Sequence, residues 1–154
     1  MTRVFRTVAL PLLRCAALGL VLAITACAPR SNVNVPAPGE AGAEKFLFDR
    51  GQEALERRQW LDAREYFRRL IDTFPGSEFR RDAKIGLGDS YLGEGHADSL
   101  ILGGNEFREF LTFFPLAPNA DYAQYRVGIC YMRQMLGPQR DQTATVNALR
   151  ELDT

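Results

Sequence analysis

Apolar residues recur at helical spacing from about residue 44 onward, and this pattern predicts amphipathic helices through the rest of the chain. The apolar positions of the first two helices are Phe48, Gly51, Ala54 and Leu55, then Ala63, Phe67, Leu70, Ile71 and Phe74. A second pair of helices is predicted within residues 81–117, and a third pair at 122–135 and 144–152. Gly103 and Gly104 predict a frayed or kinked start to the fourth helix, because glycine lowers helix stability by about 1 kcal/mol relative to alanine. The pattern as a whole predicts an all-α fold.

The predicted helices share a fixed spacing of small and aromatic residues. Ala63 is the twelfth residue after Gly51, Phe67 is the sixteenth and Pro75 is the twenty-fourth. Phe67, Phe74, Pro75, Gly88 and Tyr91 recur without gaps, forty positions further on, as Phe107, Phe114, Pro115, Gly128 and Tyr131. Small residues allow two helices to cross closely while an aromatic ring fills the wedge beside them, as in tetratricopeptide hairpins. We expect tetratricopeptide-repeat helical hairpins stacked as a short right-handed solenoid, with repeats at about 44–77, 81–117 and 121–154, the last one incomplete.

The first 26 residues have the pattern of a lipoprotein signal peptide. Arg3, Arg6 and Arg14 precede an uncharged run over residues 15–26, which is too short to span a bilayer comfortably. Small residues then lead into Cys27, as in a bacterial lipobox, and this pattern predicts that Cys27 carries lipid. The alternative is an ordinary cleavage site beside an incidental cysteine. Residues 27–43, rich in proline and glycine, are predicted to be a disordered tether between the lipid and a domain at 44–154.

Composition and candidate chemistry argue against an enzyme. The chain has 19 basic and 19 acidic residues, so no bulk charge favours nucleic-acid binding. His96 is the only histidine, and the chain has no histidine–cysteine metal motif, nucleophile elbow or phosphate loop. Cys130 lies in an apolar helical stretch and is predicted to be a buried, inert thiol. We therefore expect no catalysis, no cofactor and no metal.

A lipobox, a short tether and tandem helical hairpins together resemble the BamD family of outer-membrane lipoproteins. The more specific motifs are the segment Pro115-Leu116-Ala117-Pro118-Asn119-Ala120-Asp121-Tyr122 and the later Arg140-Asp141-Gln142-Thr143. The resemblance covers residues 44–154 and implies a scaffold of the β-barrel assembly machine, anchored on the periplasmic face of the outer membrane. Its implied partners are other subunits of that machine and unfolded outer-membrane protein segments. The alternative is a periplasmic tetratricopeptide adaptor in cell division or envelope maintenance.

The concave face of such a solenoid is lined by the first helix of each hairpin. If Gly51, Gly88 and Gly128 are equivalent, the groove positions lie three residues before and one after each glycine. With one further aromatic residue, the candidate peptide groove consists of Phe48, Gln52, Asp89, Tyr122 and Tyr125. An aromatic strip with one carboxylate suits a peptide that carries aromatic residues. The alternative is that these side chains pack against neighbouring helices, which we favour for Ile85 and Ile129.

The end of the sequence carries an apolar helix face that the preceding pattern does not cover. Ala148, Leu149 and Leu152 lie on this face. The last helix could fold back on the third repeat, a partner could cover it, or the sequence could be cut short. The abrupt end favours truncation within a longer array of repeats.

Overall fold

The computed structural model describes residues 40–154, and every regular element in this range is a helix. The helices are α1 (Ala43–Glu56), α2 (Trp60–Thr73), α3 (Arg80–Glu94), α4 (Ala97–Phe113), α5 (Ala120–Met132) and α6 (Thr143–Leu152). The all-α prediction is therefore confirmed. The predicted signal peptide, Cys27 and most of the predicted tether lie outside the described residues.

The helices pack in sequence as three hairpins, and a glycine marks a close approach within each hairpin. A Cβ atom added to Gly51 would lie 2.4 Å from the ring of Phe67, and one added to Gly88 would lie 2.7 Å from Phe107. At Gly128 the neighbour is Leu152, at 2.5 Å. The three glycines therefore occupy equivalent positions, as the candidate groove assumes, and the repeat fold is tetratricopeptide-like.

The contacts between hairpins repeat with the same period as the sequence. Arg68 of α2 donates a hydrogen bond to the Tyr91 hydroxyl of α3, and Arg108 of α4 donates one to the Tyr131 hydroxyl of α5. The two loops between hairpins share a backbone pattern as well: the amides of Ser77 and Ala117 donate to the carbonyls at positions 74 and 114, at 3.0 and 3.1 Å. The sequence repeat is thus a repeat of contacts.

The predicted frayed start of the fourth helix is wrong. Helix α4 runs without interruption from Ala97, and both of its glycines are buried within it. A Cβ atom on Gly103 would lie 3.2 Å from both the Gly88 carbonyl oxygen and the Tyr91 Cβ. The missing side chain therefore allows α4 to approach α3 closely, and this packing offsets the low helix propensity of glycine.

Helix α5 ends at Met132, before the predicted end at residue 135. The amides of Gln134 and Met135 donate to the carbonyls of Tyr131 and Met132, at 2.9 and 3.2 Å, and these tighter turns lead the chain out of the helix. Helix α6 then folds back on α5, with Ala148 buried and Leu152 against Gly128. This packing is the fold-back expected for the last helix, but it covers only part of the predicted apolar face, because Leu149 stays exposed.

Cys130 is a buried free thiol on α5, as predicted. Burial raises its pKa to about 11, and the charges of nearby arginines only partly oppose this effect. Because the thiolate is the reactive form, Cys130 is poorly nucleophilic at neutral pH.

Two glycine-to-alanine substitutions distinguish the effect of close packing on stability from the effect of helix propensity. Gly88→Ala should lower the free energy of unfolding by about 1–2 kcal/mol, because overpacking against the buried Phe107 ring exceeds the gain in propensity. Gly104→Ala should instead stabilise by up to about 1 kcal/mol, since its Cβ would meet Cys130 at an ordinary 3.5 Å. Urea unfolding of both variants tests the pair. Equal effects of the two substitutions would contradict the proposed role of Gly88.

Candidate peptide-binding face

The five predicted groove residues lie on the first helix of each hairpin. Phe48 and Gln52 are on α1, Asp89 is on α3, and Tyr122 and Tyr125 are on α5. The structure brings Asp89 and Tyr122 into direct contact. The other three do not join this contact, and their surroundings differ from one another.

Asp89 and Tyr122 form a closed polar cluster with Arg126. The Tyr122 hydroxyl lies 3.0 Å from both carboxylate oxygens of Asp89. Arg126 donates from Nε to the Tyr122 oxygen at 2.7 Å, and its Nη2 lies 3.0 Å from Asp89 Oδ1. The guanidinium carbon also lies 4.9 Å from the centroid of the Tyr122 ring. Asp89, Tyr122 and Arg126 therefore each contact the other two, and the cluster joins α3 to α5.

Burial sets the electrostatics of this cluster. It raises the pKa of the Asp89 carboxyl above its ordinary value, and the positive charge of Arg126 opposes the shift without cancelling it. The pKa of the Tyr122 hydroxyl is also raised, first by burial and then by the negative charge of Asp89. The Asp89 carboxylate accepts a hydrogen bond from Tyr122 and forms an ion pair with Arg126. The cluster is therefore suited to fixing the geometry of the face, not to acid–base chemistry.

Sequence reasoning left Arg126 out of the candidate groove. Its side chain is the one that closes the cluster, because it reaches both Tyr122 and Asp89. The available signal was its position four residues after Tyr122, which places both side chains on the same side of the helix. The contact with Asp89 depends on how α3 and α5 pack and is not visible in the sequence.

Phe48 packs into the fold. Its ring stacks on Phe79 with centroids 5.2 Å apart, and it lies 6.2 Å from the ring of Phe67. Ile85 is buried in a core cluster with Phe107 and Phe110, and Ile129 is partly buried against the same cluster. Both therefore pack against neighbouring helices, as the alternative expects. Gln52 is partly buried beside Gly51.

Tyr125 is the candidate residue that offers most surface to a ligand. The residue is 53% exposed, and tyrosine rings contribute large contact areas when a ligand buries them. It follows Tyr122 by three residues and so lies about one helical turn from the polar cluster. An exposed aromatic ring beside a rigid polar cluster suits a peptide that brings its own aromatic side chain.

Residues 40–154 offer neither a cluster of metal ligands nor a membrane-spanning helix. Within this range, no group of three or more histidine, cysteine or acidic side chains could hold a metal ion. None of the helices described above has the length and apolar character that crossing a membrane requires.

The chain matches a family of known proteins over most of its length. The family model YfiO, described as an outer membrane lipoprotein, matches residues 40–154. The outer membrane protein assembly factor BamD of Caulobacter vibrioides is 30% identical over 143 residues. This alignment covers 92% of the chain and 45% of the relative, so the chain spans about half the length of that curated protein. The resemblance found in the sequence motifs is thereby confirmed, and the chain belongs to the YfiO/BamD family of outer membrane lipoproteins.

Proposed function

We propose that this protein is an anchored scaffold of the β-barrel assembly machine in the outer membrane, and that it is not an enzyme. Family membership supports this role, since the Caulobacter vibrioides relative is named an outer membrane protein assembly factor. A repeat array built from stacked hairpins presents an extended surface for binding other proteins. The family match also favours this role over an adaptor in cell division or envelope maintenance.

The proposed anchor is lipid on Cys27. Residues 1–26 are a signal peptide that is removed, and residues 27–43 connect the lipid to the helical domain at 44–154. The lipobox pattern before Cys27 and the family's description as outer membrane lipoproteins support this arrangement. Several acyl chains on one residue hold a protein stably where a single chain would not. The domain would then be held at the periplasmic face of the outer membrane.

The proposed ligands are unfolded segments of outer-membrane proteins and segments of partner subunits. The observation that carries this proposal is the exposed Tyr125 ring beside the Asp89–Tyr122–Arg126 cluster. Because the polar cluster is already fixed, less conformational entropy is lost on binding. An aromatic–aromatic contact adds about 0.5–1.5 kcal/mol of binding free energy beyond that from its buried area. Gln52 and Phe48 would extend the face onto α1, with Phe48 acting mainly as support through its stacking on Phe79.

Lipid labelling tests the anchor. Cells that express the full chain and receive a radioactive fatty acid should label it, and Cys27→Ser should abolish both the label and recovery of the protein in the outer-membrane fraction. Globomycin, which blocks lipoprotein signal cleavage, should leave an uncleaved precursor. The matched control is Cys15→Ser, which lies inside the predicted signal and should keep the label. A soluble, unlabelled wild-type protein would refute the anchor.

Peptide binding tests the face. With an unfolded peptide from a barrel protein that contains an aromatic residue, Tyr125→Ala should weaken binding about 5–30-fold. Tyr125→Phe should retain most of the affinity, because the ring provides the contact. The matched control is Ile101→Ala on α4, since Ile101 is equally exposed at 52% but lies on a second helix of a hairpin. Equal losses from Tyr125→Ala and Ile101→Ala would contradict this assignment.

A further inference from the structure

The loop between α4 and α5 exposes two large apolar side chains. Leu116 is 97% exposed at the tip of the loop, and Phe113, at the end of α4, is 60% exposed. The loop is held by backbone hydrogen bonds from Ala117 to the Phe114 carbonyl at 3.1 Å and from Ala120 to the Ala117 carbonyl at 3.0 Å. Leu116 is therefore presented to solvent by an ordered turn.

The fold does not require these apolar residues. The equivalent loop of the first hairpin has the same backbone hydrogen bonds but carries Thr73 and Gly76 at the matching positions of the repeat. Two loops of equal geometry thus differ in surface chemistry. Leu116 buries almost none of its surface in the fold, so its side chain is available for an apolar contact outside the described domain.

Both loops lie on the edge of the domain where α1 begins. Residues 40–42, 44 and 45 line a surface hollow together with residues 74, 78 and 79 of the first loop. The second loop is joined to the same edge, because the Asn119 amide donates to the Asp82 carboxylate of α3 at 3.0 Å. Helix α3 itself begins at Arg80, directly after the first loop. Leu61, by contrast, lies in the first turn of α2 at the opposite edge.

The sequence that follows Cys27 enters the described domain at this edge, because α1 begins there. Fifteen residues, 28–42, separate Cys27 from the start of α1 at Ala43. If this segment is unstructured, as its proline and glycine content predicts, its average span is about 20 Å, close to the ~21 Å length of helix α1. If lipid on Cys27 holds the protein to a membrane, the edge that carries Leu116 is held near the bilayer, and the opposite edge lies about one helix length further away.

We propose that Leu116 and Phe113 insert into the boundary between lipid headgroups and acyl chains of the leaflet that holds the Cys27 lipid. The inference rests on the anchor in the proposed function and adds a second, non-covalent membrane contact. Apolar side chains at this depth gain affinity with each methylene group that they bury. The contact would orient the domain with its loop edge on the membrane, so that the first helices of the hairpins stay open to clients from the side.

A fluorescent probe on the loop tests the insertion. The lipidated full chain carrying Leu116→Cys is labelled with an NBD fluorophore and reconstituted into phosphatidylethanolamine–phosphatidylglycerol vesicles. The native cysteines do not interfere, because Cys27 is blocked by lipid and Cys130 is buried with a pKa of about 11. Phospholipids with a shallow nitroxide label should quench the probe at position 116 at least twofold more than a probe at Leu61→Cys. Leu61 is the matched control because it is 72% exposed on the opposite edge.

A second comparison tests whether Phe113 and Leu116 themselves cause the loop edge to approach the membrane. With the probe placed at Gly76→Cys on the first loop, the double substitution Phe113→Thr and Leu116→Gly should reduce lipid quenching, because it gives the second loop the residues of the first. Both side chains are mostly exposed, so the helical content should stay unchanged, and loss of the Phe113–Phe114 ring contact, with centroids 6.5 Å apart, should shift the unfolding transition only slightly.

Two results would overturn the insertion. One is equal lipid quenching at positions 116 and 61. The other is a probe at 116 that leaves water only when a partner protein is added, which would make the loop a protein contact. A separate flotation assay tests the anchor itself: if lipid on Cys27 does not anchor the protein, the wild-type chain will not float with the vesicles. In that case the same probes are tested on a chain tethered to nickel-chelating lipid through a histidine tag in place of residues 1–26.

Discussion

The packing of each hairpin depends on a glycine that lets the first helix reach a large side chain of the second. At Gly51 and Gly88 that side chain is a fully buried phenylalanine, Phe67 or Phe107, and even one added methyl group would overlap the ring. Phe67 is also close to Gly86 of the next hairpin, where an added Cβ would lie 2.5 Å from its ring. One aromatic side chain therefore sets both the spacing within a hairpin and the approach of its neighbour.

Polar contacts then fix how successive hairpins are oriented. Arg68–Tyr91 and Arg108–Tyr131 repeat the same bond from a second helix to the next first helix. The Asp89–Tyr122 contact joins two first helices directly and has no counterpart one repeat earlier, because Asp82 occupies the position equivalent to Tyr122. This difference makes the face near α5 chemically distinct from the rest of the array, which is why the proposed binding residues centre there.

The sequence predicts those features that depend on spacing, and it misses those that depend on contacts between distant segments. The Gly51–Phe67 approach and the repeated loops follow from positions alone. Helix α4 does not follow from local propensity, because burial of Gly103 against Gly88 outweighs the cost of glycine. Phe48 occupies a groove position by periodicity, yet Phe79, from the loop after the next helix, stacks on it. The reach of Arg126 to Asp89 likewise depends on tertiary packing.

We propose that the first helices of the hairpins form the surface that receives unfolded barrel segments. The most direct measurement is an NMR titration of the isotope-labelled protein with an unfolded, aromatic-containing peptide of a barrel protein. We expect the perturbed amides to concentrate on α1, α3 and α5, with the largest changes around Asp89, Tyr122 and Tyr125. Perturbations confined to α2, α4 and α6, or none at peptide concentrations that saturate the intact assembly machine, would contradict the claim.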